Sequence, residues 1–334
     1  MKIIVPMAGM GKRMRPHTLS VPKPLIPIAG VPIVQRLVQE IAKVTTEKID
    51  EIAFIIGDFG KEVEDRLINI AEELGAVGKI FYQKEALGTA HAVFCAKECL
   101  DGKVIVAFAD TLFSANFHLN DNHEGIIWVQ EVADPSAFGV VKVNKDNVIT
   151  DFIEKPKTPV SNLAIIGIYY FKDGENLKNE IQQLIDNNVV VNGEYQLTDA
   201  LESMKNKGLK FVPGVVDEWL DCGNKNATVF TNQRILEKLK NEKLVSETAT
   251  IINSVIIPPS YIGKNVVVEN SIFGPYVSVG EKTVVENSVL KNSIIQRNSV
   301  IQNLNITNSM VGNFVHISGD ISEVSIGDYT NIQF

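Results

Sequence analysis

An Asn-Ser pair followed by an apolar residue recurs in the last quarter of the chain, and this repeat constrains the fold more than any other feature. The pairs begin at Asn253, Asn270, Asn287, Asn292, Asn298 and Asn308, and the first three are 17 residues apart. Apolar pairs such as Val267/Val268 and Ile272/Phe273 recur at intervals of five or six residues. This spacing resembles the imperfect hexapeptide repeat of a β-helix. The alternative is a small β-sandwich. The sequence lacks the regularly spaced turn glycines that a sandwich would be expected to have.

The remainder of the chain alternates between strand and helix patterns. Apolar runs predict strands at 3–5, 52–56, 80–82 and 104–108, and amphipathic patterns predict helices at 33–44, 61–74 and 89–99, the last capped by Thr89. This order implies an α/β fold with a Rossmann-like, mixed and mostly parallel sheet. Closely spaced strands after Gly125 predict an antiparallel or mixed portion. We expect a domain over 1–245, including a closing helix at 226–241, and a β-helix domain over 246–334.

The first loop is basic although the chain as a whole is acidic. Gly9 and Gly11 allow positive φ and close approach to a ligand, and basic residues follow at Lys12, Arg13, Arg15 and Lys23. No Asp or Glu precedes Glu40, whereas the formal net charge of the chain is −8. A basic, glycine-hinged loop after a first strand indicates a small polyanionic ligand such as a nucleoside triphosphate.

Two common phosphate-binding loops do not fit this stretch. A dinucleotide-binding fingerprint requires glycine at position 14, where Met14 stands. A Walker A loop requires glycine at position 6 and Ser or Thr at position 13, where Pro6 and Arg13 stand. Backbone N–H groups and a guanidinium remain as groups that can grip the β- and γ-phosphates.

Bulk properties exclude several classes of protein. A pI near 5.3, with no basic stripe beyond the first loop, argues against nucleic acid as a partner. The sequence contains no run of 18 uncharged apolar residues and no signal-peptide pattern, so we expect neither a membrane span nor secretion. Its three cysteines are expected to be reduced thiols in the cytoplasm.

Several ordered motifs together resemble the sugar-1-phosphate nucleotidyltransferases, also called nucleotide-sugar pyrophosphorylases. The opening run Ala8 to Pro16 with Pro22-Lys23-Pro24-Leu25 resembles their entry motif, although Met10 and Lys12 depart from it. The later motifs are Gln83 with Leu87-Gly88-Thr89-Ala90-His91-Ala92, Ala109-Asp110-Thr111, Phe138-Gly139-Val140-Val141, Glu154-Lys155-Pro156, Ser161-Asn162, Asn192-Gly193-Glu194-Tyr195 and Trp219-Leu220-Asp221-Cys222-Gly223. The resemblance covers residues 1 to about 230 and implies the nucleotide-diphospho-sugar transferase fold.

The resemblance also implies roles for individual residues. The catalytic cations would be Arg13 on the leaving pyrophosphate, Lys23 between the reacting phosphates and Lys155 on the sugar phosphate. The nucleotide would be bound by Ala8, Gly9, Gly11, Gln83, Gly88 and Thr89. The sugar would be bound by Gly139, Glu154, Asn162 and Tyr195. Asp110 and Asp221 would hold Mg²⁺, which prefers one or two carboxylates and takes its other ligands from phosphates and water.

The implied partners are a nucleoside triphosphate and a sugar-1-phosphate. UTP or dTTP is expected as the nucleotide, and glucose-1-phosphate or N-acetylglucosamine-1-phosphate as the acceptor. Two alternatives stay open: a non-catalytic sugar-nucleotide-binding or regulatory subunit, and an enzyme resembling choline-phosphate cytidylyltransferase. Arg13, Lys23, Asp110 and Asp221 favour an enzyme, and Glu154, Lys155 and Asn162 favour a sugar over choline.

The repeat region carries one candidate for separate chemistry. In some relatives a left-handed β-helix is an acyltransferase with a histidine base, and His316 is the only histidine after His123. Because the repeat is short, we favour for it a role in homo-oligomerisation or in covering the catalytic domain.

Overall fold

The computed structural model describes residues 1–115, 119, 122–158, 160–191, 193–319 and 323–333. The chain folds into two compact units. Unit 1 comprises Met1–Gly9 and Gln35–Trp219, and unit 2 comprises Met10–Val34 and Leu220–Phe334. The domain boundary predicted near residue 245 stays a prediction. Among the described helices, none has the length and apolar character needed to cross a membrane.

The elements before the repeat region follow the predicted alternation. The strands are β1 (Lys2–Pro6), β2 (Pro27–Ile28), β3 (Val31–Pro32), β4 (Glu51–Ile56), β5 (Val77–Tyr82), β6 (Val104–Ala107), β7 (Thr111–Ser114), β8 (Gly125–Glu131), β9 (Gly139–Val143), β10 (Ile149–Glu154), β11 (Leu163–Phe171), β12 (Phe211–Val215) and β13 (Glu218–Asp221). The helices are α1 (Ile33–Val44), α2 (Lys61–Glu73), α3 (Thr89–Cys95), α4 (Gly174–Asp186), α5 (Leu197–Asn206) and α6 (Lys225–Lys238).

Unit 1 contains the mixed sheet predicted from the sequence. Its strands run in the order β5-β4-β1-β6-β11, after which β11 pairs with both β8 and β9. The pairs among β5, β4, β1 and β6 are parallel, whereas β11 is antiparallel to β6, β8 and β9. Strands β1, β4 and β6 are apolar without alternation because both faces of this part of the sheet are buried.

Several predicted element ends differ from the structure. The helix expected over 89–99 ends at Cys95, and a separate turn of 3-10 helix follows over Lys97–Cys99. The strand expected over 80–82 begins at Val77, where exposed and half-buried residues weaken the apolar signal. The closing helix expected over 226–241 is α6, Lys225–Lys238, and Asn224 caps it by accepting a hydrogen bond from the Ala227 amide at 3.0 Å.

Unit 2 contains the repeat region, which forms a parallel β-helix. Its strands are β14 (Thr250–Ile252), β15 (Val255–Ile256), β16 (Tyr261–Ile262), β17 (Val267–Glu269), β18 (Ile272–Phe273), β19 (Ser278–Val279), β20 (Val284–Glu286), β21 (Val289–Lys291), β22 (Ile294–Ile295), β23 (Val300–Gln302), β24 (Asn305–Thr307), β25 (Met310–Val311), β26 (His316–Ser318), β27 (Ser325–Ile326) and β28 (Asn331–Gln333). They form three sheets, in the orders β14-β17-β20-β23-β26-β28, β15-β18-β21-β24 and β16-β19-β22-β25-β27.

Every described strand pair of these three sheets is parallel and joins one coil to the next. This arrangement excludes the antiparallel β-sandwich and is consistent with the predicted left-handed β-helix. Coil length is read from the register of the first sheet. Thr250 pairs with Val267 and Val267 with Val284, which gives 17 residues per coil. Val284 then pairs with Val300, so that coil has 16 residues.

The Asn-Ser repeat has a physical reason in this architecture. Asn253, Asn270 and Asn287 take φ angles of 45°, 49° and 48°, the left-handed conformation that asparagine tolerates better than most residues. The serine that follows each asparagine points its hydroxyl at the next coil. Ser271 Oγ, for example, accepts a hydrogen bond from the Ser288 amide at 3.0 Å. Asparagine therefore replaces glycine at the corners, and serine ties the coils together.

Candidate functional site

In unit 1, predicted site residues meet at the carboxyl edge of the sheet. The chain beyond β1 stays joined to its neighbours, because the Met7 amide donates to Ile55 O at 2.8 Å and the Ala109 amide donates to Pro6 O at 3.4 Å. Beyond β5, the Gln83 amide donates to Ile56 O at 2.9 Å. Ala8, Gly9, Gln83 and Asp110 thus follow the ends of parallel strands β1, β5 and β6 at one edge of the sheet. Ligands bind at this edge in open α/β sheets.

The two glycines of the first loop differ in conformation. Gly11 has φ 56° and ψ 37°, whereas Gly9 is not left-handed, so the expectation of positive φ is correct only for Gly11. A Cβ added at Gly9 would have no atom within 4 Å, and the residue is exposed. The chain itself therefore leaves the space above Gly9 open, as close approach of a ligand requires.

The predicted base-recognition segment is fixed by its own hydrogen bonds. Gln83 Nε2 donates to Gly88 O at 3.0 Å and lies 3.2 Å from His91 Nδ1. Burial lowers the pKa of His91, and the charge of Glu85 opposes this shift. A neutral His91 accepts a hydrogen bond at Nδ1, so the side-chain amide of Gln83 is held in one orientation.

Gly88 has a structural reason to be glycine that differs from the predicted approach of a base. Its φ is 106°, and a Cβ added there would lie 2.4 Å from the carbonyl oxygen of Tyr195. The Tyr195 amide also donates to Leu87 O at 2.8 Å. The space beside Gly88 is therefore filled by the backbone of Tyr195, which holds the segment in place.

Replacing Gly88 with alanine is expected to destabilise the protein by more than the strain of positive φ alone, which is about 1–3 kcal/mol. Gly208→Ala is the matched control, because Gly208 has φ 101° and no atom lies within 4 Å of its added Cβ. The free energy of unfolding from urea titration should fall further for Gly88→Ala than for Gly208→Ala. Equal losses would show that the contact with Tyr195 is relieved without cost.

Thr89 does not cap the helix in which it lies. The cap position of α3 is Gly88, with no side-chain hydrogen bond. Instead, Thr89 Oγ1 accepts from the Leu197 amide at 2.9 Å, at the first residue of α5. The expectation of a local cap is therefore wrong, and the hydroxyl caps a helix more than a hundred residues away in sequence.

Three of the predicted sugar-binding and phosphate-binding residues lie together in unit 1. A Cβ added at Gly139 would lie 3.0 Å from Glu154 Oε2 and 3.0 Å from Thr198 Cγ2. Thr198 Oγ1 donates to the same Glu154 oxygen at 3.1 Å, and Lys155 Nζ lies 3.3 Å from Glu154 Oε1. Glycine at position 139 leaves room for this carboxylate, which can accept hydrogen bonds from sugar hydroxyls.

Lys155 is held in an unusual backbone conformation. Its φ is 40°, which is rare for a residue with a side chain, and Pro156 further restricts its backbone. The Lys155 amide donates to Phe138 O at 3.1 Å, which ties this conformation to the start of β9. Its side chain is 57% exposed, so the ammonium group is accessible to a ligand.

The other two predicted sugar-binding residues have different partners. Asn162 is exposed, and its side-chain amide donates to Glu131. The Tyr195 hydroxyl donates to Asn188 Oδ1 at 3.0 Å, and its backbone contacts the base-recognition segment. Asn192, from the same sequence motif, lies outside the described residues. The roles of Asn162 and Tyr195 in sugar binding stay predictions.

Asp110 and Glu154 both act electrostatically on the buried side chain of Tyr169. Burial, followed by the charges of Glu154 and Asp110, raises the pKa of the Tyr169 hydroxyl. The backbone supports this neighbourhood, because the Phe108 amide donates to Gly167 O at 2.9 Å and Thr111 Oγ1 donates to Ile166 O at 2.8 Å. The segment that carries Asp110 is therefore fixed on β11.

Unit 2 holds the remaining predicted residues: Gly11, Arg13, Lys23 and Asp221. A Cβ added at Gly11 would lie 3.2 Å from Lys23 Cβ, so these two parts of the loop are adjacent. A Cβ added at Gly223 would lie 2.9 Å from Asp221 Oδ1 and 3.2 Å from Arg13 Nη2. The Gly223 amide donates to Asp221 Oδ1 at 2.9 Å. Arg13 and Asp221 are thus neighbours over a glycine that leaves them space.

A magnesium ion at either predicted aspartate would take most of its ligands from substrate and water. In the described part of the chain, no cluster of three or more His, Cys, Asp or Glu side chains could hold a metal by itself. Asp110 and Asp221 each offer carboxylate oxygens. Magnesium commonly binds to one or two carboxylates and completes its octahedron with phosphate oxygens and water.

Two residues with clear structural roles were not predicted from the sequence. Thr198 orients Glu154, and His91 orients Gln83. Both stand inside or beside motifs that the family resemblance covers, but neither carries a charge or a spacing that signals its partner. Their partners are respectively 44 and 8 residues away.

Comparison with known proteins gives a family match. The nucleotidyl transferase family model matches residues 2–238. The low-salt glycan biosynthesis nucleotidyltransferase Agl11 of Haloferax volcanii is 32% identical over 262 residues, which cover 75% of this chain and 71% of that protein. The bifunctional protein GlmU of Methanococcus aeolicus is also 32% identical, over 80% of this chain, which spans 59% of that protein.

A solved structure gives a similar fold. The crystal structure of a UDP-glucose pyrophosphorylase complexed with UDP-glucose superposes with a TM-score of 0.57 and 24% sequence identity. The superposition covers 71% of this chain and 98% of that one. At this identity the likeness concerns the fold.

Proposed function

Because the chain belongs to the nucleotidyl transferase family, we propose that it transfers a nucleotidyl group from UTP or dTTP to a sugar-1-phosphate, with glucose-1-phosphate or N-acetylglucosamine-1-phosphate as acceptor. The products are a nucleoside-diphosphate sugar and pyrophosphate. The observation that carries the proposal is the gathering of Ala8, Gly9, Gln83 and Asp110 at one strand-end edge of the sheet.

The reaction requires alignment and charge neutralisation more than proton transfer. An oxygen of the sugar phosphate attacks the α-phosphorus and forms a new P–O bond, while the bond between the α-phosphorus and the bridging oxygen breaks. The electron pair leaves with pyrophosphate. Since the attacking oxygen is already ionised, no strong general base is needed. Arg13 would bind the pyrophosphate, Lys23 the reacting phosphates and Lys155 the sugar phosphate.

Magnesium is the proposed cofactor, with Asp110 and Asp221 as its protein ligands. When bound, Mg²⁺ would neutralise phosphate charge and orient the triphosphate for attack. Arg13 lies beside Asp221 over Gly223, and this supports a shared role for the two side chains toward the phosphates.

The orientation of Gln83 supports a uracil or thymine base. Its Nε2 is directed at Gly88 O and His91 Nδ1, and in the described part of the chain its Oε1 has no hydrogen-bond donor. Oε1 can therefore accept from the ring N3–H of uracil or thymine. The corresponding ring nitrogens of cytosine and adenine are acceptors, so an unfavourable acceptor pair would face Gln83. This argues against a cytidylyltransferase.

We expect kcat/KM for UTP or dTTP to exceed that for CTP by about 10- to 100-fold, the factor for a buried acceptor left unpaired. Gln83→Ala should lower kcat/KM for the preferred nucleotide and reduce this ratio toward one. Gln182→Ala is the control, since Gln182 lies on α4 and its side chain donates to Asp186 at 2.7 Å. A ratio unchanged in Gln83→Ala would contradict the assignment of Gln83 to the base.

The sugar is proposed to bind beside Gly139 and Glu154. The Glu154 carboxylate is oriented by Thr198 and lies against Lys155, so one site can accept from sugar hydroxyls and bind the sugar phosphate. Burial, followed by the charge of Glu154, raises the pKa of neighbouring Asp199. These half-buried carboxyl groups can accept hydrogen bonds from the hydroxyls of a sugar, whereas a quaternary ammonium group has no hydrogen to donate.

The test of the function is a matrix of nucleoside triphosphates against sugar-1-phosphates, with choline phosphate included, read by pyrophosphate release. The expected result is turnover with UTP or dTTP and a hexose-1-phosphate in the presence of Mg²⁺. Turnover with CTP and choline phosphate would establish the cytidylyltransferase alternative. Binding of a nucleotide sugar without turnover in any combination would establish the non-catalytic alternative.

A further inference from the structure

On the outside of the β-helix, equivalent residues of successive coils form a column along the third sheet. This column is covered by residues 10–34, here called loop 10–34, which include Arg13 and Lys23, and by helix α6. The column belongs to the third sheet and contains one residue from each coil: Tyr261, Ser278, Ile294, Met310 and Ser325, which pair in register. Its next neighbours along the strands, Ile262, Val279, Ile295 and Val311, form part of the interior core. Since successive strand residues face opposite sides, the column lies on the outside.

The middle of this outer column is buried where other outer positions of the β-helix are exposed. Ser278, Ile294 and Met310 are at most 3% exposed. In the second sheet, the equivalent residues Val255 and Ile272 are 58% and 45% exposed. The middle of the third sheet is therefore covered on its outer side.

Loop 10–34 contacts this column near both of its ends. At the first contact, His17 Nε2 lies 3.1 Å from Ser325 Oγ. At the second, a Cβ added to Gly30 would lie 2.1 Å from the Tyr261 ring, so only glycine fits there. Lys23 lies between these two contacts in the chain. Burial lowers the pKa of His17 to about 4, so the side chain is neutral at pH 7.

Asn232 of helix α6 joins the loop to the middle of the column. Its Oδ1 accepts hydrogen bonds from the Ala29 amide at 2.9 Å and from Ser278 Oγ at 2.7 Å. Asn232 is fully buried, and its Nδ2 donates to Tyr276 O at 3.4 Å. A buried side chain on α6 with partners on two other segments fixes the relative positions of all three segments, because each unmade bond would be costly.

We propose that the β-helix serves the transfer reaction by positioning loop 10–34, with Asn232, Ser278 and Ser325 as positioning residues. The inference rests on the proposed function, since it concerns the loop assigned to the phosphates. It gives the β-helix a role that needs neither acyl transfer nor self-association. His316, the candidate acyltransferase base, lies instead in the first sheet, where it is exposed and its Nε2 lies 3.3 Å from Gln302 Oε1.

The test compares Ser278→Ala with Ser288→Ala. Ser288 is a buried residue of the same β-helix, 2% exposed, whose hydroxyl donates to Glu286 O and accepts from the Leu304 amide, both within the repeat. We expect both variants to lower the melting temperature by similar amounts. Only Ser278→Ala should lower kcat, by about tenfold, the factor for one buried hydrogen bond. Ser278→Thr, which keeps the hydroxyl, should recover at least half of the lost rate.

Kinetic constants and amide exchange distinguish positioning from a purely structural role. In Ser278→Ala and Asn232→Ala, the KM for the sugar-1-phosphate should stay within twofold, while hydrogen–deuterium exchange in residues 10–25 becomes faster. An unchanged kcat and unchanged loop exchange in Ser278→Ala would overturn the proposal. If the wild-type protein has no transferase activity, the proposed function fails, and the exchange measurement still decides whether the column holds the loop.

Discussion

Lys23→Ala is expected to reduce kcat about a thousandfold. A charge pair at about 4 Å is worth roughly 4 kcal/mol at an effective dielectric constant near 20, and each 1.4 kcal/mol is a factor of ten in rate. The position of Lys23 is well defined, since it begins a short 3-10 helix, Lys23–Leu25, in which Pro24 and Leu25 are buried. The measurement is the steady-state rate of pyrophosphate release at saturating substrates.

The control for Lys23→Ala is Lys61→Ala, which removes a positive charge from helix α2. Lys61 is 72% exposed and pairs with Asp65 at 2.9 Å. It should keep the wild-type rate, and both variants should keep the wild-type circular dichroism spectrum. A rate for Lys23→Ala within tenfold of the wild-type value would contradict the assignment of Lys23 to the reacting phosphates. It would also remove the main support for the assignment of Arg13 to the pyrophosphate.

The second large effect is expected for Asp110→Asn, which keeps the shape of the side chain and removes its charge. The variant should lose activity by a factor of at least about a hundred, because a neutral amide is a poor ligand for a hard cation such as Mg²⁺. The Mg²⁺ concentration for half-maximal rate should rise in the same variant. The maximal rate and the half-maximal Mg²⁺ concentration are both obtained from the initial rate as a function of Mg²⁺ concentration.

Asp146→Asn is the matched control for Asp110→Asn. Asp146 is exposed in the turn between β9 and β10. Its substitution should change neither the maximal rate nor the Mg²⁺ requirement. If Asp110→Asn lowers the rate without shifting the Mg²⁺ dependence, then Asp110 acts on the substrates directly and the proposed metal ligation is wrong.

Local patterns in the sequence were sufficient for most elements of the fold. The apolar runs at 52–56 and 104–108 predict β4 and β6 to within one residue, because strands buried on both faces are apolar without interruption. The Asn-Ser repeat predicts the β-helix for a similar reason. Each coil repeats the same corner conformation and the same interior volume, so the pattern returns with the coil length.

Contacts between distant segments were not predictable in the same way. Thr89 caps the start of α5, and Thr198 orients Glu154, although neither sequence neighbourhood indicates a partner. The contacts of loop 10–34 with the β-helix also join residues about 300 positions apart, as with His17 and Ser325. Periodicity reports which face of an element is apolar, but it does not report which segment covers that face.

In the candidate site, too, some features follow from the sequence and others depend on contacts between distant segments. The charged residues at the ends of strands, such as Asp110, are accessible to sequence reasoning because topology brings strand ends together. The orientation of Gln83 depends instead on the carbonyl of Gly88 and on His91. Such hydrogen bonds orient the side chain to which we assign base recognition, and they become visible only in three dimensions.

The two anchor points of loop 10–34 also limit how the β-helix can change length during evolution. These points are Tyr261, which Gly30 contacts, and Ser325, which His17 contacts. They lie four coils apart in the third sheet, a distance of roughly 19 Å at the usual strand spacing. Tandem duplication of one coil between them would separate the anchors by about 5 Å more, while the loop that spans them stays the same length. Coils can therefore be gained or lost without disturbing both contacts only outside the segment between these two points. Within that segment the number of coils is constrained by the length of the loop.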